Sequence, residues 1–272
     1  KLRVVHRVNQ MEGMFLKANN QVKDIIYVHK NTDRQYVVSY GINFNEFASN
    51  ARKPLKNLLL IKHQYEHGAF NIHTHMEYVE QDEMKKIMND GVQSYGDFCW
   101  IDFEEEVGVD ELNGQEIAEL LYMGHVKQPL NPPFYSKLNN RYAYLSHDDG
   151  WFNKIYYREF EDFYHMLGAT VSSKLSTVKG GKGLFGMKKE KDYPIIGQEV
   201  IHSFRDKLKE GMVISLEKAI LTRGKIEIPI WVIGDYYDMD EMAEDYKQIR
   251  KSPANGLLSY DRKTKSWSAL LR

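Results

Sequence analysis

Disulfide chemistry within the chain is excluded, because the only cysteine is Cys99 and one thiol cannot close an intramolecular bridge. It lies in the apolar run Phe98-Cys99-Trp100-Ile101, where a thiol packs as a small hydrophobe, and this usage fits a reducing compartment. No apolar run approaches the roughly 20 residues that span a bilayer. The stretch Lys1-Leu2-Arg3-Val4-Val5-His6 is too polar for the core of a secretion signal. The expectation is a soluble cytoplasmic protein without a membrane partner, with room for residues upstream because the first residue is Lys1 and not Met. An excess of either charge is also missing. With 37 basic and 38 acidic side chains, the net charge of -1 gives no global field toward nucleic acid. Nucleic acid is not excluded as a partner, but its binding would need a local patch. Nucleophile-elbow, Cys-x-x-Cys, dinucleotide and kinase signatures are all absent, so serine hydrolase, thiol redox, nicotinamide and kinase chemistry have no positive support.

What the chain has is ordinary globular material. Its 272 residues, 42% of them apolar and 28% charged, are enough for a sizeable core in one or two domains. The runs Asp24 to His29 and Gln35 to Tyr40 are β-rich and flank the turn-forming Asn31-Thr32-Asp33, which predicts a hairpin. A second hairpin is predicted from Leu58 to His63 and Phe70 to His75, turning near Gly68. Helices are expected from about Asp82 to Asn89 and from Asn113 to Met123, with a buried strand from Asp97 to Phe103 between them. Tyr135 to Leu138, Arg141 to Ser146 and Trp151 to Tyr157 read as a meander, followed by a helix that buries Phe160, Phe163, Tyr164, Leu167 and Val171. A helix, two strands, a helix and a final hairpin around Asp261 to Thr264 complete the chain. No repeat of fixed period is visible. The fold class is therefore α+β, mostly antiparallel sheet built from hairpins and a meander, with interspersed helices. The one break in composition is the Lys/Gly stretch around Lys179 to Lys191. It divides the chain into an N-terminal α+β part (1–178), a linker or loop (179–193) and a C-terminal α+β part (194–272) that is either separate or in the same domain.

Four histidines, His63, His67, His73 and His75, fall within thirteen residues. On the predicted hairpin, His73 and His75 share a face and His63 comes beside His73. Three imidazoles so placed suit a divalent metal such as zinc, with a water at the open position and Glu77 or Asp102 as the candidate base. The competing reading is an exposed sheet face on which histidines alternate with other polar side chains. Aromatic and basic residues interleave in a second stretch, where Arg141, Tyr142 and Tyr144 would form a recognition surface if exposed and core if buried. Lys182, Lys188 and Lys189 lie in the glycine-rich stretch, which suits a polyanion but lacks the Walker pattern because Gly183 follows Lys182.

Taken together, these features favour a non-catalytic intracellular binding or interaction protein, with another protein as the expected kind of partner. The alternative is a metal-dependent hydrolase or nuclease using His63, His73 and His75, with His67 as a further ligand.

Overall fold

The computed structural model describes residues 22–62, 65, 67–90, 98–148, 150–178, 181–182, 188–189 and 193–272. The first hairpin forms as the alternation predicts: β1 (Ile25–Asn31) pairs with β2 (Tyr36–Tyr40) from Tyr27↔Tyr40 to Asn31↔Tyr36. Gly41 then turns the chain with φ +78°, and a Cβ there would stand 2.2 Å from the carbonyl oxygen of Ile25, so the exit from β2 needs glycine. Asn43 starts α1 (Phe44–Asn50) through a capping box. Its side chain accepts the Glu46 N–H at 2.9 Å, and the Glu46 carboxylate accepts the Asn43 N–H at 2.9 Å.

The next region departs from the predicted hairpin. β3 (Asn57–Leu60) pairs not with β4 (Ala69–Asn71) but with β5 (Met76–Val79), which sits between them. The cause is local. The Asn71 side chain accepts the Thr74 N–H at 2.8 Å, the His75 N–H reaches the Asn71 carbonyl at 3.0 Å, and His75 takes φ +58°. This side-chain mimic of a turn stops the strand at Asn71 and reverses it over residues 72–75.

A 3-10 turn (Gln81–Glu83), α2 (Met84–Asn89), β6 (Cys99–Phe103), α3 (Glu106–Asp110) and α4 (Gly114–Val126) follow. The strand expected at Tyr135 to Leu138 is a loop held by Asn140, whose side chain accepts the Tyr135 N–H and donates to the Pro133 carbonyl, each at 2.8 Å. Then come β7 (Tyr142–His147), β8 (Phe152–Tyr157), α5 (Phe160–Val178), the short strands β9 (Gly181–Lys182) and β10 (Lys188–Lys189), α6 (Gln198–His202) and α7 (Arg205–Glu210). β11 (Met212–Ser215), β12 (Ile220–Leu221), β13 (Lys225–Val232), α8 (Met239–Ile249), β14 (Gly256–Asp261) and β15 (Ser266–Leu271) complete the order.

Among the described residues thirteen strands form one sheet, in the order β15-β14-β13-β11-β1-β2-β8-β7-β6-β3-β5-β4, with β12 added on β13. The pairings are antiparallel, which makes the chain α+β as its sequence predicts. Because β1 pairs with β11, strands from both sides of the Lys/Gly stretch share the sheet. Within that stretch β9 and β10 pair with each other, Lys188 opposite Lys182. The rest of it, 179–180, 183–187 and 190–192, lies outside the described residues.

Most central strands are buried on both faces, and each face has its own core. α1, α5, α6 and α7 cover one, where Phe44, Phe47, Trp100, Tyr144 and Phe163 pack. α4 and α8 cover the other with Leu120, Met123, Met242 and Tyr246 over Tyr27, Leu145 and Val213.

The layout is quasi-twofold. The β2–β8 pair is its centre, with Val38 opposite Lys154. Outward on one side run β1, β11 and β13, and on the other β7, β6 and β3. Each central hairpin leads into a helix on the same face, α1 or α5, and Lys174 of α5 forms an ion pair with Glu46 of α1 at 2.5 Å. The two copies echo in sequence only where hairpin meets helix: Tyr40, Phe44, Glu46 and Phe47 have the spacing of Tyr156, Phe160, Asp162 and Phe163.

Candidate functional site

The residues singled out in the sequence scatter. His63 lies outside the described residues. His67, His73 and His75 are exposed, the last two in the turn between β4 and β5 and not on a strand face. His73 Nε2 is 2.6 Å from the Leu112 carbonyl, His75 packs edge-on to Phe70, and His67 edge-on to Tyr65. Leu58 to Leu60 do not pair with Ala69 to Asn71, since β5 stands between those strands. Among the described residues, no three His, Cys, Asp or Glu side chains could hold a metal together.

The two candidate bases have structural partners. Glu77 accepts the Tyr65 N–H at 2.6 Å. Asp102 is buried on β6 and its Oδ1 accepts two backbone N–H groups, from Arg141 at 2.9 Å and Tyr142 at 2.6 Å, tying β7's start to β6. Burial pushes its carboxyl up to about 6, against the pull of those N–H donors and of the Arg141 guanidinium.

The tyrosine-rich face expected to offer Tyr142 and Tyr144 for recognition is core. Tyr144 stacks on Trp100 with centroids 5.2 Å apart and donates to Asn153 at 2.7 Å, while Tyr142 donates to Asp162 at 3.1 Å. The reason is that α1 and α5 lie over that face. Arg141 is half-buried, its guanidinium 4.9 Å from the Tyr142 ring and 3.1 Å from the Pro54 carbonyl. Lys182, Lys188 and Lys189 are placed by backbone pairing on β9 and β10.

The polar groups that do stand out were not singled out in the sequence. On the face covered by α4 and α8, one cross-strand row runs His29 (β1), Val38 (β2), Lys154 (β8), Leu145 (β7) and Cys99 (β6). His29 and Lys154 are each only 7% exposed, and two strand spacings put their Cα atoms about 10 Å apart. The Lys154 ammonium lies 4.3 Å from the centroid of Tyr36 and 5.7 Å from that of Tyr156, and no carboxylate or hydrogen-bond acceptor meets it among the described residues. Desolvation, followed by repulsion from Arg34, lowers its proton affinity to about 8. The contrast is Lys30, buried on the opposite face, which donates to the Tyr164 hydroxyl at 2.6 Å and lies over Phe160.

Burial lowers the proton affinity of His29, against the opposing influence of Asp235 and a hydrogen bond to the Lys209 backbone. Its Nδ1 is buried with no partner. Among the described residues the row therefore holds an ammonium without an acceptor and an imidazole Nδ1 without a partner. The rim comes from two loops. One is the β1–β2 turn with Arg34, whose N–H is held by the Asn31 side chain at 2.9 Å. The other joins β13 to α8 and sends Tyr237, 51% exposed, to a 2.5 Å hydroxyl contact with Tyr36. In the same loop Tyr27 donates to the Gly234 carbonyl at 3.1 Å and accepts the Tyr236 N–H at 2.8 Å, which fixes the loop over β1. Farther out on this face, an open hollow of about 440 Å³ is lined by Ile233, Tyr236, Asp245, Gln248, Ile249 and Ser252.

The sequence carried one signal for this row: Lys154 stands mid-strand in Phe152-Asn153-Lys154-Ile155-Tyr156-Tyr157, a run otherwise fit for burial on both faces. His29 sits likewise in the β1 run. That they share a row is decided by strand order.

Comparison with protein-family models, with curated proteins and with solved structures finds no match. No helix among the described residues is long and apolar enough to cross a membrane.

Proposed function

We propose that this is a non-catalytic binding protein that takes a small anionic ligand on Lys154, at the centre of its sheet. One observation carries the reading: a lysine only 7% exposed whose ammonium, set against the rings of Tyr36 and Tyr156, meets no carboxylate and no acceptor among the described residues. Drawing a cation partly out of water without a counter-charge is costly, so the missing acceptor is assigned to a ligand. The nearby Arg34 adds positive charge rather than neutralising it, which favours an anion. His29 Nδ1, on the same row, accepts a ligand N–H or O–H. Tyr36, Tyr156 and Tyr237 supply flat apolar walls with hydroxyl tips.

The test is thermal unfolding in the presence of a panel of small anions: phosphate, sulfate and short mono- and dicarboxylates. At least one is expected to raise the midpoint of the wild-type protein, by the equivalent of about 2.7 kcal/mol when present at a hundredfold excess over its dissociation constant. Lys154→Met is expected to remain folded and to lose that response. A wild-type midpoint indifferent to every anion, or a response that Lys154→Met retains, overturns the reading.

A further inference from the structure

We infer that Lys154 captures its ligand covalently, as an imine, and that the ligand class is the small 2-oxo acids. This rests on the anion-binding reading above and adds the carbonyl.

A lysine that serves as a structural cation is neutralised or hydrogen-bonded, as Lys30 is by Tyr164. Lys154 has neither kind of partner among the described residues and is instead framed by the rings of Tyr36 and Tyr156. A partly desolvated amine beside a second cation is the arrangement that makes the nitrogen easier to deprotonate. Desolvation and Arg34 both act in that direction. With a value near 8 instead of the ordinary value of about 10.4, its free-amine fraction at pH 7 exceeds that of a surface lysine by roughly two hundredfold. Arg34 supplies the positive charge for the ligand carboxylate.

The step balances without an oxidant. The neutral Lys154 Nζ adds its lone pair to the carbonyl carbon, and the C–O π pair moves to oxygen. A proton passes from nitrogen to that oxygen. The carbinolamine then loses its hydroxyl and the remaining hydrogen on nitrogen as one water, leaving C=N. Neither partner changes oxidation state.

The experiment incubates the full chain at pH 7 with pyruvate and cyanoborohydride, whose hydride reduces the imine to a stable secondary amine. Intact mass and peptide mapping then locate the adduct. One reduced adduct per chain is expected, on Lys154, forming at least tenfold faster than on any other lysine and suppressed by lactate, which has the carboxylate but no carbonyl. Lys154→Arg keeps the charge and should abolish the adduct. Because the site is mapped on wild-type protein, a misfolded variant does not decide the result. Adducts spread over surface lysines, or no adduct, overturn the covalent claim. If lactate and pyruvate both stabilise the protein but nothing is trapped, the anion site stands and only the imine falls. If neither stabilises it and nothing is trapped, both fall.

Discussion

At the scale of single residues, the polar groups inside this protein divide into those with structural partners and those without. Asp102 belongs to the first kind. Its carboxylate anchors the start of β7 through two N–H groups, yet burial raises its folded-state value from 3.8 to about 6. A carboxyl whose value rises on folding binds more protons folded than unfolded, so its contribution is fully present below about pH 4 and is lost as pH climbs through about 6. The stability of the wild type minus that of Asp102→Asn should therefore fall between about pH 4 and 6 and level off above. Urea unfolding of both proteins across that range checks it; a difference that grows with pH would show instead that the N–H donors outweigh burial. Lys154 and the Nδ1 of His29 belong to the second kind among the described residues, unlike the exposed histidines of the β4–β5 turn.

At the scale of elements, the C-terminal edge strand allows a test of backbone parity. Arg272 donates to the Asn255 carbonyl and Arg262 to that of Gly224. With the β13–β14–β15 register, these bonds turn the backbone groups of Ser266, Ser268 and Leu270 toward β14 and those of Trp267, Ala269 and Leu271 toward the open edge. Proline is tolerated where its missing N–H would face outward. Ala269→Pro should thus cost little, whereas Leu270→Pro, although that side chain is 49% exposed, removes a ladder bond. The second variant should be less stable than the first by at least about 1 kcal/mol, measured by denaturant midpoint. Equal losses would mean that the register at this edge differs.

At the scale of the whole molecule, the continuity of the sheet across the Lys/Gly stretch bears on how the chain is divided. β11 zips onto β1 over Ile25↔Ser215 to Val28↔Met212, with Ile26, Tyr27, Val28, Val213 and Ile214 all buried. A single cut at a protease site inserted within 183–187 should leave the two fragments associated. They are expected to co-elute under native conditions and to separate only in denaturant, because separation would expose that apolar strand pair to water. Fragments that part without denaturant would support the division into two independent domains.

Much of this architecture was legible locally. The β1–β2 hairpin, the α5 stripe, α4 and the final hairpin all follow from periodicity and turn residues, since period and φ preference act within a few residues. Even the local reading failed where side chains took over backbone roles, as Asn71 did in reversing the strand before His75 and Asn140 did in holding a loop at Tyr135. The quasi-twofold arrangement left only a short echo, Tyr40 to Phe47 against Tyr156 to Phe163, because the segments joining the equivalent strands differ in length and content. By itself the sequence determined the α+β class and the absence of a disulfide within these residues, since both depend on residue type and near neighbours. Tertiary structure alone decided that Tyr142 and Tyr144 are core, that β5 separates β3 from β4, and that His29 and Lys154 lie on one row. The physical reason is that strand order and helix cover are set by contacts between residues far apart in the chain, which no local pattern encodes.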